Sequence, residues 1–93
     1  MNVTLEVSFS FKRELDDNPV TIELTDVATV MTSLRAFASL HPMVSRRIFG
    51  PDGEVMPYIN VLKNGGNVRF QRGFETILHD GDHLTILPPV GGG

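Results

Sequence analysis

Residues 80–93 read DGDHLTILPPVGGG. Asp80-Gly81-Asp82 is a reversal, because Asp side chains bond nearby backbone N–H groups and Gly tolerates left-handed torsions. From His83 the residues alternate, with Leu84 and Ile86 on one face and His83, Thr85 and Leu87 on the other, which is the period of a strand. Pro88 and Pro89 stop it, since proline has no N–H for a ladder and fixes φ. Val90, Gly91, Gly92 and Gly93 then follow almost without side chains. A strand that ends this way must find its sheet partners and its apolar cover earlier in the chain.

The N-terminal stretch supplies the first partner. Val3, Leu5, Val7, Phe9 and Phe11 alternate with Asn2, Thr4, Glu6, Ser8 and Ser10, so one strand is expected there. Asp16-Asp17-Asn18-Pro19 breaks the pattern, and Val20, Ile22 and Leu24 resume it, the signature of an antiparallel hairpin. At Val27 the period lengthens. Val27, Val30, Met31, Leu34, Phe37 and Ala38 recur at spacings of three and four and predict a helix, with Thr29 or Asp26 as N-cap and Pro42 marking its end. Residues 42–50 (PMVSRRIFG) have room for a further short helical turn, and Pro51-Asp52-Gly53 is a loop.

Ile59 and Val61 predict another strand, closed by the tight-turn signal Asn64-Gly65-Gly66. Val68 and Phe70 read as a short strand beyond it, and residues 71–78 as turns. One main helix on a mixed sheet of four to five strands, α+β in class, buries these faces in a single core. No repeat or linker divides the chain. Residues 1–90 are expected to form the domain and residues 91–93 a flexible glycine tail.

Composition narrows the function. A chain of 93 residues with 41% hydrophobic content, six Phe and no Trp hides only about 60% of its unfolded surface, leaving little interior for a deep catalytic pocket. Eight Lys and Arg against eleven Asp and Glu give a net charge of −3, without the basic block that nucleic acid or an anionic membrane surface would attract. The chain has no cysteine, which excludes disulfides, thiol nucleophiles and thiolate metal sites. No run approaches the roughly 20 apolar residues of a membrane span, and the N-terminus alternates where a signal peptide would be continuously apolar. A cytoplasmic protein is expected, with neither nucleic acid nor membrane as partner.

The polar residues offer little catalytic pattern. His41, His79 and His83 fit no HxH or HExxH spacing and read as surface histidines at a helix end and beside a turn. Asp80 and Asp82 read as turn residues. No GxSxG elbow is present, and Gly65-Gly66 lacks the helix start and lysine of a phosphate loop. Arg46-Arg47 and Arg69 with Arg72 suit an acidic partner surface.

The tail is the exception. Two prolines stiffen its exit, and four extended residues beyond Pro89 reach about 13 Å. An enzyme that activates a chain-end carboxylate must thread it through a slot where a Cβ clashes, which glycine avoids. The letters alone leave open a flexible end or a cloning remnant.

DGDHLTILPPVGGG, together with Asn67-Val68-Arg69-Phe70 and the order of elements, resembles the ubiquitin-like sulfur carrier proteins of the molybdopterin-synthase small subunit and thiamine carrier type. It is similar as well to cysteine-biosynthesis carriers and archaeal small modifiers. The resemblance implies a β-grasp fold and a protein that is a carrier or non-catalytic subunit, not an enzyme. It implies that an E1-like enzyme uses ATP to adenylate the Gly93 carboxylate, that a thiocarboxylate forms there, and that a sulfur-accepting enzyme takes the sulfur. No bound cofactor or metal is implied. Gly92 matches the second glycine of the family ending, and Gly91 falls at its small-residue position. Leu87, Pro88, Pro89 and Val90 become candidate partner contacts, although parity alone leaves Leu87 as either an exposed contact or core at a sheet edge. Conjugation through Gly93 to target-protein lysines, and a plain interaction domain, are the alternatives.

Overall fold

Burial of alternate residues builds the sheet. The computed structural model describes residues 1–7, 19–25 and 27–87. Strand β1 (Asn2–Val7) turns Val3, Leu5 and Val7 fully inward. Strand β2 (Val20–Glu23) pairs antiparallel with it, Val3 opposite Ile22 and Leu5 opposite Val20. Phe9, Phe11, the Asp16-Asp17-Asn18 turn and the candidate cap Asp26 lie outside the described residues, as does the boundary expected after residue 90.

Helix α1 (Val30–Leu40) begins at Thr29, whose Oγ1 accepts from the Thr32 backbone N–H at 3.2 Å. Such a cap contributes about 1 kcal/mol. Val30, Leu34, Phe37 and Ala38 face the core as the spacing predicts. Val27 does not. It precedes the cap, stands 82% exposed, and shares only the numerical spacing of the apolar face. Ser33 is fully buried in its place among the helix's inward residues, and its hydroxyl donates to the Val30 carbonyl at 2.7 Å, so no polar group is left unpaired. After a break at His41, Pro42 opens a second helix, α2 (Pro42–Ile48). A proline at the first helical position has no N–H to lose, so the residue that ends α1 starts α2.

Strand β3 (Asn60–Lys63) is joined to β4 (Gly66–Asn67) by Asn64 and Gly65, with φ of 50° and 90°. Those left-handed torsions are the ones Asn-Gly hairpins use. β4 stops after two residues. The expected strand at Val68 and Phe70 is a 3₁₀ turn (Val68–Phe70), because the Asn67 side chain accepts from the Arg69 N–H at 2.9 Å and curls the chain out of the ladder. Val68 drops into the core, whereas Phe70 is left 86% exposed. A second 3₁₀ turn (Gly73–Glu75) follows, within the stretch where turns were expected.

Strand β5 (His83–Leu87) enters the middle of the sheet, parallel to β1 and antiparallel to β3, for a strand order β2-β1-β5-β3-β4. This is the ubiquitin-like β-grasp, a mixed sheet of five strands with both helices in the connections. The core lies between the sheet and the helices and gathers Val3, Leu5, Leu34, Phe37, Leu84 and Ile86. Among the described residues no helix is long and apolar enough to cross a membrane.

The two phenylalanines make opposite predictions. Phe37→Ala, which empties a fully buried site, is expected to cost about 3–5 kcal/mol in chemical denaturation. Phe70→Ala is expected to change stability by no more than about 0.5 kcal/mol.

Candidate functional site

The residues singled out by the sequence meet the structure at one point, the end of β5. Leu84 and Ile86 are fully buried, so the backbone of the strand is fixed from within the core. Leu5 and Leu84 are register partners on one side, Val61 and Ile86 on the other. Leu87 points to the outer face, half-buried, opposite Asn60 of β3. It is therefore neither core nor at a sheet edge, for β5 is central. Pro88, Pro89, Val90, Gly91, Gly92 and Gly93 lie outside the described residues.

The turn before β5 sets where the strand begins. Gly81 has a φ of 87°, the left-handed conformation that glycine alone adopts freely. Asp80 Oδ1 accepts from the Asn2 N–H at 2.7 Å, and the Gly81 N–H donates to the Asn2 carbonyl at 2.8 Å. Both contacts fasten the turn to the start of β1.

Asp82 is 8% exposed and serves the same turn: Oδ2 accepts from the His79 N–H at 2.8 Å and Oδ1 from the Asn64 side-chain amide at 2.9 Å. The Lys63 ammonium lies 3.9 Å away. Burial pushes the Asp82 carboxyl up, but the His79 N–H, the Asn64 amide and the charge of Lys63 together outweigh it, so it ionises below its ordinary value of 3.8. Asn64 also accepts from the His83 N–H through its side-chain oxygen at 2.9 Å. The hairpin turn and the strand start are thereby one hydrogen-bonded unit.

The outer face beside Leu87 contains Leu62, which the sequence did not single out, and Arg69, which it named only as a surface arginine together with Arg72. Leu62, half-buried, sits diagonal to Leu87 on the next strand, since Leu62 pairs with Thr85 and Asn60 with Leu87. The Arg69 guanidinium donates to Asn60 Oδ1 at 3.0 Å, which brings a cation to the side of the strand end. Alternation of Leu62 with the buried Val61 was the only available signal for the first. The second was named as a candidate partner contact, but its place beside Leu87 depends on the 3₁₀ turn, which the sequence did not signal. At the other end of the face His83 Nε2 lies 2.9 Å from Glu6 Oε1.

The remaining histidines are where a helix end and a turn put them. His41 stands between α1 and α2 with its ring 5.1 Å from that of Phe37, and His79 is exposed. Among the described residues no three metal-ligating side chains converge. The site is a held strand end with an apolar and cationic margin.

Its sequence is diagnostic, for the ThiS family profile matches residues 9–93. The chain belongs to the ThiS family of ubiquitin-like sulfur carriers. It is similar to Small archaeal modifier protein 3 of Haloferax volcanii, with 36% identity over 93 residues and 100% of both chains covered. The crystal structure of SAMP1 from Haloferax volcanii matches with a TM-score of 0.89 at 30% identity, again over 100% of each chain. A chain in the crystal structure of the BexX/CysO complex of Amycolatopsis orientalis matches with a TM-score of 0.79 at 32% identity, covering 98% of this chain and 99% of that one. The ThiS-family match includes every residue of the glycine ending.

Asp82 gives the site a measurable pH signature. A carboxyl whose folded-state pKa is depressed contributes stability that is present above its ordinary value and is lost as pH falls through the folded one. Stability is expected to fall with acidification below about pH 4, and Asp82→Ala to remove most of that Asp82 contribution. By leaving the His79 N–H and the Asn64 amide without their acceptor, the same substitution is expected to cost about 2 kcal/mol at neutral pH. Thermal melts should register this as a Tm lower by roughly 10 °C.

Proposed function

We propose that this chain carries sulfur on the carboxyl group of Gly93. A carboxylate does not exchange its oxygen unaided. An E1-like enzyme joins it to the α-phosphate of ATP with loss of pyrophosphate, and a sulfide-level donor attacks the acyl carbon and expels AMP. A thiocarboxylate remains, from which a sulfur-accepting enzyme takes the sulfur. The chain is thus a co-substrate, not an enzyme. On this reading it holds no cofactor itself and works in the cytoplasm, where ATP is supplied.

The family match running through Gly93 carries this reading. The strand end supports it physically. β5 is paired with β1 up to Ile86 and with β3 up to Leu87, so whatever follows Leu87 leaves from a held strand end. Pro88 and Pro89 restrict the torsions beyond it, Leu87 with Pro88, Pro89 and Val90 meets the partner surface, and Gly91 and Gly92 suit a slot too narrow for a Cβ.

The 36% identity over the full length of a small archaeal modifier protein favours a second reading, conjugation of Gly93 to lysines of target proteins. Both begin with the same adenylation and differ in the nucleophile that follows, sulfide or amine.

Intact-mass spectrometry of the protein purified from its native host distinguishes them. Oxygen-to-sulfur exchange at Gly93 is expected for carriage, and a Gly93 isopeptide on another protein for conjugation. A terminus unmodified in every fraction would sink both. In a reconstituted ATP–pyrophosphate exchange assay, deleting Gly93 or making Gly92→Phe is expected to abolish activation while Tm moves by no more than about 2 °C. Leu87→Thr, which keeps a strand former at that position, is expected to raise KM for activation roughly tenfold with little change in kcat.

A further inference from the structure

The helix side of the molecule carries a second surface that sulfur carriage leaves unused. α1, α2 and the connection into β3 enclose an open groove of about 680 Å³, within the size range of ligand clefts. Its apolar lining includes Ala38, Phe49, Pro51 and Met56. Among the described residues, Arg35 and Arg46 are the only charged ones that line it, with Asp52 and Glu54 in the loop beside it.

The groove is preformed. Phe49 and Val55 bridge as an antiparallel pair, the Gly50 N–H donates to the Glu54 carbonyl at 2.9 Å, and the Met56 N–H donates to the Ile48 carbonyl at 2.8 Å. Gly53, with φ of 81°, closes the loop through its N–H to the Gly50 carbonyl at 3.0 Å. The Arg35 guanidinium sits 5.3 Å from the centre of the Phe49 ring, a cation–π contact that orients it without neutralising it.

Neither Arg35 nor Arg46 has a carboxylate within ion-pair distance among the described residues, although the whole chain has a net charge of −3. Two unpaired guanidiniums bordering an apolar floor repel each other and attract carboxylates in fork geometry. A small anion would satisfy the charges and leave the floor wet. An extended segment with alternating acidic and apolar side chains satisfies both.

We propose that this groove docks an acidic, apolar-bearing peptide segment of a partner protein, on the opposite side of the sheet from Leu87. Such a partner binds while the strand end is occupied by an activating or accepting enzyme. The inference does not depend on the chemistry at Gly93.

The test is an NMR titration of the ¹⁵N-labelled full chain with an acetylated peptide alternating glutamate and phenylalanine, beside the matched lysine–phenylalanine peptide. The glutamate peptide is expected to shift the amides of Ser39, Ser45, Gly50 and Gly53, and the lysine peptide to leave them in place. The double variant Arg35→Glu/Arg46→Glu is expected to weaken binding roughly tenfold or more, and Arg72→Glu, a charge reversal outside the groove, to leave it unaltered. Arg46→Ser, at an exposed position that spares the Arg35 stack, is expected to weaken it about threefold with an unchanged melt, which guards against misfolding of the double variant. The proposal fails if the shifts gather on the outer sheet face, if the lysine peptide binds as well, or if the Arg variants bind normally. It fails too if inorganic phosphate alone reproduces the shifts, or if sedimentation shows a second copy of the chain already filling the groove.

Discussion

The parallel pairing of β1 with β5 is the contact on which the structure depends. Thr4 pairs with His83 and Val7 with Ile86, so the strand nearest one end of the chain is bonded to the strand nearest the other. Parallel strands need a crossover, and here the crossover contains both helices and the β3–β4 hairpin. Closing so long a loop costs on the order of 4 kcal/mol. Burial of Val3, Leu5, Val7, Leu84 and Ile86 at about 1.5–3 kcal/mol each exceeds that cost. The closure is fastened at one place, the Asp80-Gly81-Asp82 turn, where Asn2 is bonded twice and the Asp82 carboxylate reaches back to Asn64. Loss of that turn would free the start of β5, and with it the point from which the tail departs.

Elements defined by an alternation of faces were legible in the sequence. Val3, Leu5 and Val7, and then Leu84 and Ile86, are inward because a strand in a one-sided sheet has no other way to bury them. Thr29 was legible as a cap, and Asn64-Gly65 as a turn, because each residue type answers a specific backbone need. The failures have a common origin. At Val27 and at Val68 with Phe70, apolar letters continued a period after the backbone had left the element. The Asn67 side chain competes with the ladder for the Arg69 N–H, and that contest of hydrogen bonds is invisible to a count of apolar spacings. The residues themselves suggested a strand end at Leu87 and a glycine tail suited to a narrow slot. The sulfur chemistry given to Gly93 came from likeness to a family, while the placing of Arg69 and Leu62 beside Leu87 depended on register and on a 3₁₀ turn that a single sequence does not reveal.

The distribution of charge gives the two sides of the molecule different partners. Beside Leu87 the outer sheet face offers Leu62, Thr85 and Asn60, with Arg69 at the margin, held by Asn60. This surface is mostly uncharged, and its leucines lose little by being covered repeatedly and released, which would suit the proposed hand-over from an activating enzyme to an accepting one. Across the sheet, the helix-side groove is lined by two guanidiniums, that of Arg35 lying over the Phe49 ring. Its preferred occupant is selected by charge and held by salt-sensitive contacts. Because the core between them is packed with fully buried side chains and β5 is paired on both flanks, occupancy of one side has no obvious route for distorting the other. The two surfaces then act as independent handles. Under the proposed docking and carrier role, a partner on the helix side would raise the local concentration of the carrier near its enzymes without covering the strand end, an effect that requires only that the strand end stay where Asp82 and its partners hold it.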